Sequence, residues 1–401
     1  MKRILILSLI LLITIITAAF LIPQALIDPN APINTETKKF YVGVTYCGNS
    51  TLEAKMLIDR IENYTNLFVI QSLKFSRNAT ALTEICDYAV AHNLSIIINF
   101  LNAANLNVSM LTWQLPLLEN AEQRWSDHFL GVYYDDEPGG IQIDYNWTDF
   151  FALPEFAQFA PNSTSTSRTY SNEARWFTRV INYTLRPERW KEAGITSLTT
   201  DYALYWWDYL GGYDVILAQF GRNHTLEQDI ALIRGAARMQ NKTWGTIITW
   251  TYDEPPYIID DKEKIYEQLL MSYEAGATYV VIFNYPQIEG NVYGGILTNN
   301  HFEALESFWN NIVVEPNHES ISDYSQAEAV LVLPPNYGWG MRHENDRIWG
   351  IWGPDEKSPQ IWEISRQLLS QYYLNLDIIF EDPNFPVTGK YQKTYYWNET
   401  S

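Results

Sequence analysis

Short apolar segments alternate along this chain with longer segments whose apolar residues recur at helical spacing. The short segments are rich in β-branched and aromatic residues and are apolar on both faces, which is typical of parallel strands buried on both sides. Eight of them predict strands, at residues 40–46, 67–71, 94–100, 129–134, 195–201, 215–220, 244–251 and 279–284. The other segments predict helices at residues 53–64, 80–92, 115–126, 172–185, 226–240, 262–275 and 300–310.

Eight strands alternating with helices predict an α/β fold, a (β/α)8 TIM barrel, over residues 39–311. An open, doubly wound sheet has the same local pattern, but no G-x-G-x-x-G motif follows the first strand, which counts against a dinucleotide-binding sheet. An irregular insertion is expected at residues 141–169, and an aromatic loop at residues 202–213.

A small α/β module is predicted to follow the barrel. Residues 312–326 are rich in Pro, Asn and Ser and are typical of a linker, and residues 327–401 again combine strand and helix patterns. The loop at residues 334–354 carries three tryptophans and Arg342. We expect this loop to pack the module against the barrel, and closure over the barrel mouth is the alternative.

Two predicted strands end in the same acidic motif. The fourth strand runs into DDEP at residues 135–138, and the seventh into DEP at residues 253–255. Because the carboxyl ends of barrel strands meet at one face, where such barrels keep their chemistry, we expect Glu137 and Glu254 to approach each other across the barrel mouth. Glycosidic cleavage needs such a pair, since one carboxyl protonates the leaving oxygen while the other attacks the anomeric carbon or activates water.

This layout resembles the retaining glycoside hydrolases of the two-glutamate (β/α)8 clan, clan A, over residues 39–310 and without pointing to one family. In that clan an acid/base glutamate ends strand four, usually as Asn-Glu-Pro, and a nucleophilic glutamate ends strand seven. The resemblance implies that Glu137 is the acid/base and Glu254 the nucleophile. Asp136 replaces the usual Asn, and an ionised Asp can only accept a hydrogen bond from a sugar hydroxyl.

Further candidate substrate-binding residues stand at or after the carboxyl ends of predicted strands: Asp135, Asp136, Tyr46, Asn99, Asp201, Gln219, Trp250, Tyr252, Asn284 and Tyr285. Each has a simpler interpretation as rim hydrogen bonding or packing. For Asp201, which is also a spare candidate acid, we favour helix capping or pairing with Arg. The charge of Asp135 and Asp136 is expected to raise the pKa of Glu137, as a general acid requires.

No cofactor or metal is expected, because 2 Cys and 6 His show no zinc-ligand spacing. A metal-dependent hydrolase that uses Asp135, Asp136, Asp201 and Asp253 as oxygen ligands is an alternative. A non-catalytic glycan-binding or surface-layer structural protein on the same scaffold is another. A net charge of -20 argues against a nucleic-acid partner, and an aromatic content of 15% favours carbohydrate.

The N-terminus predicts export. Lys2 and Arg3 precede an apolar run at residues 4–23, so residues 1–23 are either a cleaved signal peptide or a membrane anchor, followed by a polar linker at 24–38. Eleven Asn-x-Ser/Thr sequons support an extracellular or cell-surface location. Cys47 and Cys86 are either one disulfide or two free thiols.

Overall fold

Eight parallel strands close into a barrel in sequence order, with β8 hydrogen-bonded back to β1. The strands are β1 (Tyr41–Tyr46), β2 (Leu67–Ile70), β3 (Ser95–Phe100), β4 (Phe129–Tyr134), β5 (Ser197–Asp201), β6 (Val215–Phe220), β7 (Thr243–Ile248) and β8 (Tyr279–Ile282). The computed structural model describes residues 39–100, 113–145, 168–221, 224–250, 257–314 and 322–398. The predicted (β/α)8 barrel is confirmed.

Helices connect the strands around the outside of the barrel. In chain order they are α1 (Thr51–Ile61), α2 (Ala79–Ala91), α3 (Gln114–Glu119), α4 (Ala121–Trp125), α5 (Pro138–Tyr145), α6 (Tyr170–Leu185), α7 (Pro187–Glu192), α8 (Tyr205–Gly211), α9 (Leu226–Gln240), α10 (Lys262–Glu274) and α11 (Asn299–Phe308). The barrel interior is filled by buried residues such as Leu67, Ile97, Tyr133, Leu217 and Val281, with Tyr41 of β1 packed against them. Both strand faces are therefore buried, which explains their continuous apolar pattern.

Three local predictions were wrong. The helix expected at residues 115–126 is divided at Asn120, whose side chain bonds the Pro116 carbonyl. The irregular insertion expected from residue 141 begins within a helix, α5, which starts at Pro138 because proline suits the first turn of a helix, where its missing N–H is not needed. The expected aromatic loop at 202–213 contains α8.

The C-terminal module is a three-stranded parallel sheet with one long helix packed against it. Its strands are β9 (Ala329–Leu333), β10 (Leu376–Phe380) and β11 (Lys393–Tyr396), with β9 in the middle, and α12 spans Ser358–Tyr372. Helix α9 of the barrel carries Arg234, which forms a buried ion pair with Asp377 of β10 at 2.7 Å. Tyr391 donates a second hydrogen bond to the same carboxylate, at 2.8 Å. The module is thus held on the barrel by buried polar contacts.

The loop between β9 and α12 also reaches the barrel. The indole of Trp349 is buried against Trp207, with ring centroids 4.7 Å apart. Gln142 of α5 donates a hydrogen bond to the Trp349 carbonyl at 2.7 Å. Because α5 begins at the last residue of the DDEP motif, the loop lies at the barrel mouth.

Cys47 and Cys86 are free thiols. No helix among the described residues is long and apolar enough to cross a membrane. Residues 4–23 lie outside the described residues, so the export segment stays a prediction. Seven sequon asparagines fall in described parts of the chain and all are exposed: Asn49, Asn63, Asn78, Asn93, Asn182, Asn241 and Asn398.

Candidate active site

A cavity of about 640 Å³ lies at the carboxyl ends of the barrel strands. Among the described residues it is lined by Gln71, Tyr133, Asp136, Glu137, Asp144, Tyr145, Thr200, Tyr202, Gln219, Gly221, His224, Ile247, Thr249, Trp250, Phe283, Tyr285 and Arg342. Five of the predicted site residues are in this set: Asp136, Glu137, Gln219, Trp250 and Tyr285. These five residues come from β6 and from the segments that follow β4, β7 and β8.

The backbone after β4 is strained where it presents Glu137. Asp135 and Glu137 have φ angles of 64° and 53°, in the left-handed region that non-glycine residues seldom adopt. Such a conformation costs about 1–3 kcal/mol and persists only when its surroundings enforce it. Here the Glu137 N–H donates a hydrogen bond to the Thr200 carbonyl at 3.0 Å, and the Glu137 carbonyl accepts one from Ile141 at 2.8 Å. These bonds fix the direction in which the Glu137 side chain leaves the backbone.

Asp201 holds the next two residues in place. Its carboxylate accepts hydrogen bonds from the backbone N–H groups of Gly139 at 2.6 Å and Gly140 at 2.8 Å, in the first turn of α5. It also accepts from the N–H groups of Tyr202 and Ala203. A negative charge is favourable at this end of a helix. Asp201 is fully buried and does not line the cavity, so it acts on the backbone around Glu137.

The two glycines of the motif are required by close packing. A Cβ atom on Gly139 would overlap the carbonyl oxygen of Ala203, and one on Gly140 would overlap the ring of Tyr202. The segment after β5 thus lies directly against the start of α5. This contact explains why the acidic motif continues as Gly-Gly.

The Glu137 carboxyl lies in a hydrogen-bonded and partly desolvated environment. Gln219 Nε2 donates to Glu137 Oε1 at 2.5 Å. Burial, and then the neighbouring charge of Asp136, raise the pKa of Glu137 to about 8. Burial also raises the pKa of Asp136, whereas hydrogen bonds from Tyr133 and Thr200 to its Oδ1 atom favour its charged form. The raised pKa favours the protonated form of Glu137, in which this side chain can donate a proton.

Three aromatic rings form one wall of the cavity. Trp250 stacks on Phe283 with centroids 5.0 Å apart and planes 14° apart, and Phe283 stacks on Tyr285 at 5.9 Å. Flat aromatic faces of this kind bind the apolar faces of sugar rings. Phe283 is not among the predicted site residues, because it falls in the strand predicted at 279–284. That strand is apolar on both faces, so the sequence does not show which of its side chains face the barrel interior.

Charged residues that the sequence did not single out as ligands form another wall. Arg342 donates to Asp144 at 2.8 Å, and the Tyr202 hydroxyl donates to the same carboxylate at 2.7 Å. His224 Nδ1 lies 3.0 Å from a carboxylate oxygen of Asp229, whose charge and hydrogen bond raise the His224 pKa against the opposing effect of burial.

Several predicted site residues have structural roles instead of facing the cavity. The fully buried Tyr46 donates its hydroxyl hydrogen to the Ser50 carbonyl at 2.7 Å. Asn284 bonds the loop that follows it, accepting from the Ile296 N–H at 2.8 Å. Neither side chain lines the described cavity, because the polar group of each bonds a rim loop, which is the simpler interpretation stated for both.

Asn99 and Asp135 do not line the cavity among the described residues either. The Asn99 amide is buried without a hydrogen-bond partner in the described parts of the chain. Burial and then the Asp136 charge raise the pKa of Asp135 to about 7.

Tyr252, Asp253 and Glu254 lie outside the described residues. The proposed nucleophile and its neighbours therefore stay predictions. Within the described chain, no group of three or more His, Cys, Asp or Glu side chains is arranged to hold a metal ion.

No protein-family model and no curated protein sequence matches the chain. Solved structures are similar to this chain at low identity. A β-mannanase from the blue mussel Mytilus edulis is 9% identical with a TM-score of 0.40, covering 68% of this chain and 92% of that one. An endo-1,4-β-mannanase from Eisenia fetida is 11% identical with a TM-score of 0.43, covering 69% and 92%. A truncated 3-deoxy-D-arabino-heptulosonate 7-phosphate synthase from Thermotoga maritima is 10% identical with a TM-score of 0.37, covering 71% and 90%.

A barrel of this kind carries many unrelated activities, so the function has to be argued from the site itself.

Proposed function

We propose that the protein is an exported glycoside hydrolase that cleaves glycosidic bonds with retention of configuration. The observation that carries this proposal is Glu137, which follows β4, has a pKa of about 8 and lines a cavity of about 640 Å³ together with the stacked aromatic rings. A protonated carboxyl beside a sugar-sized, aromatic-lined cavity suits the protonation of a glycosidic oxygen.

In the first step Glu137 acts as the general acid. The hydrogen bond from Gln219 engages Oε1 of Glu137, which leaves Oε2 to carry the proton toward the leaving oxygen. As the bond between the anomeric carbon and this oxygen breaks, the proton passes to the leaving group and Glu137 becomes a carboxylate. The Glu254 carboxylate attacks the anomeric carbon and forms a covalent glycosyl ester.

In the second step Glu137 acts as the base. Its carboxylate takes a proton from water, the water oxygen bonds to the anomeric carbon, and the ester bond to Glu254 breaks. The sugar is released with its original configuration and both carboxyls return to their starting states. The role of Glu254 rests on the sequence motif and the resemblance it supports.

Asp136 is proposed to bind the sugar. Its Oδ1 atom accepts hydrogen bonds from Tyr133 and Thr200, while Oδ2 has no hydrogen-bond partner among the described residues. An ionised carboxylate accepts only, so Asp136 would accept a hydrogen bond from a hydroxyl of the sugar next to the reacting bond.

An extracellular or cell-surface location fits this function. The seven exposed sequon asparagines support glycosylation in an exported protein. Mass spectrometry of the protein purified from its native host tests this proposal, with the expected result of N-linked glycans on these asparagines and cleavage or retention of residues 1–23.

The catalytic proposal is tested with two variants and a matched control. Glu137→Gln and Glu254→Gln should each lower kcat on a cleavable glycoside by at least a hundredfold. Glu122→Gln changes an exposed glutamate of α4 in the same way and should leave kcat unchanged. Proton NMR of the first product should show the anomer of the substrate. Wild-type rates in both site variants would overturn the proposal, and the opposite anomer would assign an inverting mechanism.

The second candidate is a glycan-binding surface protein without turnover. The stacked aromatic wall and the exposed sequons fit it equally. Calorimetric binding of an oligosaccharide that stays intact over days with the wild-type protein would favour this function.

A further inference from the structure

The C-terminal module places one of its own side chains in the cavity. Arg342 belongs to the loop between β9 and α12, and it lines the cavity together with Glu137. The preceding residue, Met341, has a left-handed φ of 58°, and its carbonyl accepts a hydrogen bond from Gln228 of α9 at 2.6 Å. The backbone that presents Arg342 is thus fixed to the barrel.

Asp346 holds the guanidinium group of Arg342 in one orientation. Two parallel hydrogen bonds join them, from Nε at 2.9 Å and from Nη2 at 2.8 Å, and the Arg342 N–H also donates to this carboxylate. The Asp346 side chain is almost fully buried. Such a bidentate pair loses little further side-chain freedom when a ligand binds, so Arg342 is preorganised.

The outer edge of the same guanidinium meets the barrel. Nη1 of Arg342 donates to Oδ1 of Asp144, and Tyr202 donates to Oδ2 of Asp144. The guanidinium also lies over the Tyr202 ring at 5.6 Å. Asp144 and Tyr202 belong to the two segments that position Glu137, so the charged pair is built next to the proposed acid.

This pair still has hydrogen-bonding capacity. Of the five N–H donors of Arg342, one on Nη1 and one on Nη2 have no partner among the described residues, and each Asp144 oxygen can accept a further hydrogen bond. Donors and acceptors side by side match the hydroxyl groups of a sugar, which both donate and accept.

The charges in the cavity argue against an acidic sugar. Arg342 is paired with Asp144 and Asp346, and His224 is paired with Asp229, so both basic side chains that line the described cavity already have carboxylate partners. A uronic acid carboxylate would have to displace one of these partners and would approach Asp136 as well.

We propose that Arg342 and Asp144 form a subsite for the hydroxyl groups of a neutral sugar, so that the C-terminal module completes the carbohydrate site. This inference rests on the proposed function, because it names the substrate class and a specificity determinant of the same cavity.

The test measures binding in a background without turnover. Glu137→Gln protein is titrated calorimetrically with cellotetraose, mannotetraose, xylotetraose and a tetragalacturonate. One neutral tetrasaccharide is expected to bind, and tetragalacturonate at least tenfold more weakly. Adding Asp144→Asn or Arg342→Lys should weaken the neutral ligand at least tenfold. Arg347→Lys, a charge-preserving change at an exposed arginine of the same loop that does not line the cavity, should leave the affinity unchanged.

The outcomes separate the two proposals. Asp144 is partly exposed, so Asp144→Asn should keep the wild-type melting temperature even if Arg342→Lys disturbs the loop. Unchanged affinity in Asp144→Asn, or tighter binding of tetragalacturonate, would overturn the subsite while leaving the hydrolase proposal intact. In protein that retains Glu137 and cleaves glycosides, Asp144→Asn should raise KM by a larger factor than it lowers kcat. Absence of both sugar binding and turnover would overturn the proposed function.

Discussion

Gln219 Nε2 lies 2.5 Å from Glu137 Oε1, so a side chain of β6 orients the one that follows β4. An amide donor stabilises the carboxylate form of its partner and so opposes the effects of burial and of the Asp136 charge on the pKa of Glu137. This contact joins two non-adjacent strands and fixes which oxygen of Glu137 can carry the proton.

Replacing Gln219 with Leu should move the pH profile upward. Loss of the amide donor removes a bond that favours the carboxylate, so the pKa of Glu137 should rise above about 8 and activity should persist to higher pH. We expect kcat to fall by about tenfold, because a positioned general acid contributes about 10²–10⁴-fold and Gln219 provides only part of the positioning. The profile of kcat/KM against pH measures the shift, and an unmoved basic limb would show that Gln219 does not act on Glu137.

Replacing Asp136 with Asn should move the same profile in the opposite direction. The substitution keeps the size of the side chain and removes the second-largest influence that raises the pKa of Glu137. The acid should then lose its proton at a lower pH, and the basic limb of kcat/KM should shift downward. Comparison with the Gln219 variant provides the control, since general damage to the site would not shift the two profiles in opposite directions.

The stability of the fold should decrease as pH rises from about 5 to about 8. Burial is the main reason that Glu137, Asp135 and Asp201 have raised pKa values of about 8, 7 and 7. A carboxyl whose pKa is higher in the folded than in the unfolded protein stabilises the fold fully below its unfolded pKa, and this contribution is lost as pH rises through the folded value. Urea unfolding at a series of pH values measures this change in the free energy of unfolding. In the Glu137→Gln variant, the free energy of unfolding should depend less on pH above pH 7. Constant stability across this range would contradict the raised values.

Replacing Gly140 with Ala should damage both stability and activity. The added Cβ atom would overlap the Tyr202 ring and push α5, and with it Glu137, away from β5. Overpacking of this kind costs about 1–3 kcal/mol. Urea unfolding and kcat measure the two effects. Gly353→Ala is the matched control, since its Cβ would have no heavy atom within 4 Å, and it should change neither quantity.

The barrel could be predicted because its strands are buried on both faces and their apolar runs stand out from the sequence. The position of Glu137 followed from the same pattern, since β4 ends at Tyr134 in the structure as in the prediction. The role of Asp201 could be named only as a general possibility, because the four N–H groups that it accepts from belong to two separate segments.

Arg342 could not be placed from the sequence at all. Its position in the cavity depends on how the C-terminal module packs on α9 through Arg234 and Asp377, and on how Trp349 fits against Trp207. Contacts of this kind join residues far apart in the chain, and no local pattern encodes them. The same limit applies to Tyr46 and Asn284. Their polar groups bond rim loops whose course cannot be predicted from the sequence, so the sequence does not show that these side chains face away from the cavity.

The most direct test of Glu137 as the general acid is the dependence of rate on the leaving group. Two glycosides of the sugar that the wild-type protein cleaves best are compared, one with a 2,4-dinitrophenyl and one with a phenyl leaving group. Dinitrophenolate leaves without protonation, whereas phenolate needs the acid. The account predicts that Glu137→Gln loses about 10²–10⁴-fold in kcat/KM on the phenyl glycoside and at least tenfold less on the dinitrophenyl glycoside. Equal losses on both substrates would contradict it.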